Sequence, residues 1–358
     1  MYNIATRIHQ LDALRGLASL SVVIHHCVLV FPLFFATIFH QETIPIVSVL
    51  TYSPLHLFWA GHEAVILFFV LSGFVLSLPY YGVNQPRYPK YIIKRIFRIY
   101  IPYAVSLVSS ALLLQLFSEH GVIGLSTWFN DMWEHLPNFA SWLNLLLMLN
   151  TNDTHNINTV TWSLIYEMQI SIIFPIFTVL VKKVNWKIVL CLSILFVFHK
   201  SHIIHFSSFF IIGCLLAKYK NQISSYVTNS KKIMIYIFYG IGLIFYLCEW
   251  LSPFNFNRNS LDLITSIGVS IFIALSLGDN QIKEFLLKRQ LIYLGSISYS
   301  LYLVHPIVLL TAIYSLKDFV PIYLIVAMVP LVSIVVAHFY NKLIENPGIK
   351  LGRMFIRG

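Results

Sequence analysis

Apolar stretches of about 20 residues, the length a helix needs to cross a bilayer, recur along nearly the whole of this 358-residue chain. A water-soluble fold cannot absorb that pattern, because too little polar material remains to cover its surface. Hydrophobic residues make up 58% of the chain and charged residues 11%, against about 25% charged in an ordinary soluble domain. The expected fold is therefore all-α: a polytopic transmembrane helical bundle of about ten spans, over 12–36, 57–80, 99–117, 159–181, 187–202, 203–217, 233–251, 261–278, 291–314 and 321–343. No segment between them is long enough for a separate soluble domain, so residues 1–358 read as one integral membrane domain.

The formal charge of +10 is dispersed between the apolar stretches, whereas a phosphate-binding surface for nucleic acid needs its basic residues on one face. Nucleic acid is excluded as a partner. Cytoplasmic loops of membrane proteins accumulate Lys and Arg, and with ten spans and both termini cytoplasmic every loop obeys that rule. The inner segments hold Arg7 and Arg15, the group from Arg87 to Arg98, and the basic residues flanking the later spans; of the 24 Lys and Arg, Lys200, Arg258 and Lys317 remain outside. The outer segment 118–158 contains Glu119, Asp131, Glu134 and Asp153 with no Lys or Arg. Its Trp128, Trp133 and Trp142 suggest an insertion lying in the outer interface, where aromatic rings settle, and roofing a site that opens outward. Between 187 and 217 one long kinked helix would invert the downstream charge pattern, so two short spans meeting at His199–His202 are expected.

The first span carries Arg15, His25 and His26 and no small-residue cleavage site, so it is expected to stay in the mature protein. Cys27, Cys191, Cys214 and Cys248 lie in expected spans without paired spacing and read as small core residues. No internal period and no inverted pair of broken helices, the mark of many secondary transporters, is found.

Ionisable groups inside a span each cost on the order of 3 kcal/mol, so those that persist usually face the bundle interior and carry function. Arg15 and His26 are eleven residues apart; on a helix they return to within about 20° of one face, with a rise of roughly 16 Å. His25 points away from that stripe. Arg95 and Arg98, at i,i+3, present two guanidinium forks on one helical face, and such forks match phosphate oxygens. Anchoring at the headgroups would explain these arginines equally well. Glu167 falls about two turns below the outer surface in Thr161-Trp162-Ser163-Leu164-Ile165-Tyr166-Glu167, and the stripe Ser296 to Pro306 carries Tyr299 and ends at His305, where Pro306 predicts a kink. Packing contacts between helices are the alternative reading of both. His62, Glu63 and His338 are further polar residues within spans, and His199, His202 and His205 lack the carboxylate a metal site would want. No metal is indicated.

Together these stretches resemble the acyltransferase-3 family of integral membrane acyltransferases, which includes bacterial enzymes that O-acetylate lipopolysaccharide, capsule and other envelope glycans. The resemblance rests on Leu11-Asp12-Ala13-Leu14-Arg15-Gly16 followed by His26, on Phe68 to Ser77, on Arg95-Ile96-Phe97-Arg98, on Trp162-Ser163-Leu164 through Glu167, on Ile297 to Pro306, and on Glu345-Asn346-Pro347. It implies about ten spans in a bacterial cytoplasmic (inner) membrane, no permanently bound cofactor, and acetyl-CoA or another acyl-CoA as donor from the cytoplasm. The acceptor would be a glycan or lipid-linked sugar. It further implies His26 and Glu167 as catalytic residues, Arg15, Arg95 and Arg98 as acyl-CoA ligands, and His25, Trp162, Ser163, Tyr299 and His305 as acceptor-binding or supporting groups. Two departures stand out: Ile165-Tyr166 precedes the glutamate in place of small residues, and no extracytoplasmic hydrolase-like domain is fused. A transporter of lipid-linked sugar or small solute, and a non-catalytic membrane scaffold, are the competing classes.

Overall fold

The computed structural model describes residues 8–41, 43–82, 85–117, 121–252, 254 and 256–357, all of their regular structure helical. Arg7 and Glu119 lie outside them. Eleven helices carry the architecture: α1 His9–Leu29, α2 Gly61–Ser77, α3 Tyr88–Leu116, α4 Thr161–Lys183, α5 Trp186–Val197, α6 His202–Lys218, α7 Lys232–Tyr246, α8 Arg258–Gly278, α9 Ser298–Leu316, α10 Ile322–Tyr340 and α11 Asn346–Arg357. Seven are long and apolar enough to cross a membrane: α1, α2 with its extension to Tyr81, α3, α4, α8, α9, and α10 with its continuation. Helices stand at the other three expected positions but are shorter, α5 having 12 residues, α6 17 and α7 15. The chain does break between α5 and α6, at Phe198 to Ser201, as the charge pattern requires.

The fold resolves into two compact units, one of residues 1–18, 52–88 and 170–296, the other of 19–51, 89–169 and 297–358. In the first, α2 and α6 form the most intimate pair. Gly73 and Gly213 face each other there, and a Cβ on either would collide with the opposing backbone, at Phe210 O and Val70 O. Small residues let membrane helices approach this closely, where packing rather than water exclusion drives association. The same device brings Gly16 of α1 against Gly295 of the short helix Arg289–Ser296. α7 packs on α8 in the same unit.

In the second unit α9 packs along α10, and α3 is crossed by the continuation of α10. Midway α3 passes through a π-helical turn, Ile96–Tyr100. Such a turn widens the helix and releases carbonyls from the regular ladder, and Tyr299 Oη donates to one of them, Ile99 O, at 2.8 Å. Residues 121–158 supply buried side chains to the second unit. Trp133, 1% exposed, forms a three-ring cluster with Phe117 and Tyr314 and donates its indole N–H to Ser110 Oγ at 2.7 Å. The sequence grouped Trp133 with Trp128 and Trp142, but its ring is core. Cys27, Cys214 and Cys248 are buried, but Cys191 lies on an exposed face of α5 and is not a core residue.

Candidate active site

Within the second unit the later half of α1 runs parallel to α9. Ser19 Oγ donates to Ser298 O at 3.0 Å, and seven residues further along both helices His26 meets His305, Nδ1 to Nε2, at 2.8 Å. Hydrogen bonding fixes the direction. His305 Nδ1 lies 3.1 Å from Leu301 O, which can only accept, so that nitrogen carries the proton. Neutral His305 then presents a lone pair at Nε2, and His26 Nδ1–H donates to it. The remaining lone pair of neutral His26 is at Nε2, which makes no hydrogen bond to any described residue. His305 is 1% exposed while His26 is half-buried. A sealed imidazole thus orients an accessible one, the arrangement general-base chemistry needs.

The segment 121–158 closes on this pair. Ser126 donates from its backbone N–H to Val30 O at 3.0 Å and from its hydroxyl to Leu29 O at 2.6 Å, capping the free carbonyls at the end of α1. Ser126 also begins the single turn Thr127–Asn130, which lays the Trp128 ring 5.0 Å from that of His26. His155 Nε2–H donates to Trp128 O at 3.1 Å, and Thr159 Oγ1 to His155 Nδ1 at 3.0 Å. Burial lowers the pKa of His155, against the opposing pull of Asp131 and of the bond to Trp128. His25 sits beside His26, with ring centroids 5.6 Å apart.

The other expected residues divide. Ser163 and Tyr302 hydroxyls meet at 2.8 Å, and Tyr302 lies edge-on to His305, so one residue separates Ser163 from the imidazole pair. Trp162 stands edge-on to Tyr166, half-buried. Arg95, 6% exposed, donates to Glu167 Oε1 at 2.8 Å. The sequence had expected Arg95 toward the inner end of one helix and Glu167 in the outer half of another; the structure joins them in one ion pair. Nor do Arg95 and Arg98 share a face: the π turn separates them, and Arg98 is exposed while Arg95 is buried. Arg15 is half-buried on α1 in the first unit. Glu345, unremarked in the sequence beyond its motif, is buried and accepts from Ser300 at 2.6 Å and Asn341 at 2.7 Å.

A different polar cluster lies wholly in the first unit. Asp262 of α8 accepts from His62 Nε2 at 2.7 Å and His205 Nε2 at 3.0 Å, and Arg258 Nε lies 3.2 Å away. His205 Nδ1 bonds to Val197 O at 2.6 Å, and Trp250 Nε1 donates to Glu63 at 2.8 Å. His62 and His205 were visible as histidines within spans, but Asp262 was overlooked.

The comparisons agree with the sequence resemblance. An O-acetyltransferase of Phomopsis amygdali, PaAT-1, is 31% identical over 155 residues, which cover 38% of this chain and 30% of that relative. No solved structure matches the chain. The acyltransferase-3 profile, described as an acyltransferase domain, matches residues 8–340. With that match over nearly its whole length and seven membrane-length helices, the chain is a multi-pass membrane protein belonging to the acyltransferase-3 family.

Proposed function

We propose that the protein is a membrane O-acyltransferase that moves an acyl group, acetyl in the simplest case, from cytoplasmic acyl-CoA to a hydroxyl of a cell-envelope glycan such as O-antigen, capsule or a lipid-linked sugar. The observation that carries this reading is the hydrogen-bond chain from His26 through His305 to Leu301 O, which leaves His26 Nε2 as an oriented base. His26 Nε2 takes the proton of the acceptor hydroxyl, the hydroxyl oxygen forms a bond to the thioester carbonyl carbon, and the carbon–sulfur bond breaks. The proton held on His26 passes to the departing thiolate, so the base is restored and free CoA leaves. Attack of His26 itself on the thioester, giving an acyl-imidazole, is the other route open to the same atom.

On the donor side Arg15 lies on the stripe of α1 that leads to His26, roughly 16 Å along the axis, a span an extended pantetheine arm covers. Arg15 and the exposed Arg98 are the groups we assign to the donor phosphates. Arg95, bound to Glu167, would contribute by holding the segment that carries Arg98, and Glu167 by holding Arg95 in place. We further propose ten spans with both termini cytoplasmic, the three short helices α5, α6 and α7 completing the set, in a bacterial inner membrane. The PaAT-1 match supports O-acetyl transfer; the glycan acceptor rests on the family resemblance.

The test is incorporation of radiolabelled acetate from acetyl-CoA into envelope glycan by cells or membranes carrying His26→Ala or Arg15→Ala. Loss in both at normal protein level supports the reading. Unchanged incorporation in both ends it.

A further inference from the structure

We infer that Trp128 of the outer insertion is the platform on which the acyl acceptor stacks, and that the acceptor presents a saturated ring, a pyranose with a flat C–H face, rather than an open-chain hydroxyl. The inference rests on the acyl-transfer reading given above and specifies its acceptor side.

Three observations set Trp128 apart. Its ring is 5.0 Å from that of His26 at a tilt of 35°, so a group lying on the indole is brought beside the base. Of the neighbouring tryptophans, Trp133 is 1% exposed with its N–H spent on Ser110. Trp128 is half-buried, and none of the described residues accepts from its indole N–H. A ring retained only for packing would be sealed like Trp133; this one, although it also meets the His155 ring at 5.9 Å, stays partly exposed and keeps a donor. The platform is also tied rigidly to the base, since Ser126 binds the last carbonyls of the helix bearing His26 and His155 grips the Trp128 carbonyl.

An indole face carries negative charge density and attracts polarised C–H groups, and its large area is gained at small entropic cost. One side of a pyranose supplies such C–H groups together, while an acyclic polyol cannot present them without freezing several rotors. Stacking would hold the ring flat, with a hydroxyl at its edge directed to His26 Nε2. Specificity for the acceptor then lies in the outer insertion.

The experiment compares methyl α-glucopyranoside with mannitol as soluble acceptors, using membranes of the full-length protein and labelled acetyl-CoA. Wild type is expected to prefer the glycoside. Trp128→Ala should raise the KM for the glycoside about tenfold and erase the preference, whereas Trp128→Phe, which keeps a ring, should stay within about threefold of wild type. Trp128→Leu, bulky but ringless, gives the same reading if the alanine variant does not accumulate. A variant that keeps the preference, or one in which kcat falls equally for both acceptors while KM stays fixed, overturns the inference, because Trp128 would then merely brace His26. Failure of the parent reading is seen separately, in wild type: transfer to neither acceptor and none to envelope glycan.

Discussion

Two histidine pairs in this chain look alike in sequence and differ in chemistry. His62 and His205 are joined through the two oxygens of one carboxylate, Asp262, and His205 is engaged at both ring nitrogens. His26 and His305 touch directly, with a backbone carbonyl beyond His305 and nothing from the described residues on His26 Nε2. The first pair is closed around Asp262, which both rings bond, although His62 Nδ1, on a ring 31% exposed, bonds no described residue. The second is open at one atom. What separates the two pairs is thus the carboxylate: Asp262 binds both imidazoles of the first, whereas those of the second bond each other directly.

The largest effect should come from the open pair. Replacing His26 by Ala is expected to lower acyl transfer by about 10²–10⁴-fold, with protein level and thermal midpoint little changed, as read by labelled acetate incorporation. A normal rate would erase the distinction between the two pairs. For the closed pair the expected loss is in stability: Asp262→Asn leaves buried imidazoles without their carboxylate, a change worth about 3–5 kcal/mol when a buried ion pair is broken. Thermal unfolding in detergent should report it, while kcat of the folded fraction holds. A drop in kcat with no change in unfolding would place chemistry at Asp262.

His305→Leu is intermediate. It leaves the His26 Nδ1–H without its acceptor, about 1–3 kcal/mol for a buried polar group, so transfer should fall about 5- to 100-fold and the rate should respond to the tautomer lost. The Arg95–Glu167 pair offers a further probe. Arg95→Gln and Glu167→Gln are expected to be non-additive by about 0.5–3 kcal/mol in a double-mutant cycle on activity; additivity would mean the two act separately. Smallest is Tyr299→Phe, which removes one bond to Ile99 O and should cost about 1 kcal/mol of stability.

Local features were legible in the sequence. Apolar stretches placed helices at every expected span, charge alternation the break between α5 and α6, and the eleven-residue spacing on α1 singled out Arg15 and His26. The contacts that distinguish the sites were not, because each joins residues far apart in the chain. Trp128 is about a hundred positions from His26, and nothing local says which of three tryptophans meets an imidazole and which becomes core. Asp262 reads as one residue near a helix start until α8 is placed beside α2 and α6. Arg95 and Arg98 seemed to share a face because an ideal helix was assumed, and the π turn Ile96–Tyr100 undoes that geometry. That Arg95 meets Glu167 was not legible either, since the register of α3 against α4 depends on packing.

Chemical rescue bears most directly on the imidazole chain. Free imidazole added to His26→Ala membranes is predicted to restore acetyl transfer in proportion to its concentration and to leave Asp262→Asn unaffected, because only the first lacks an accessible ring nitrogen. Full transfer by His26→Ala before any imidazole is added would contradict the account.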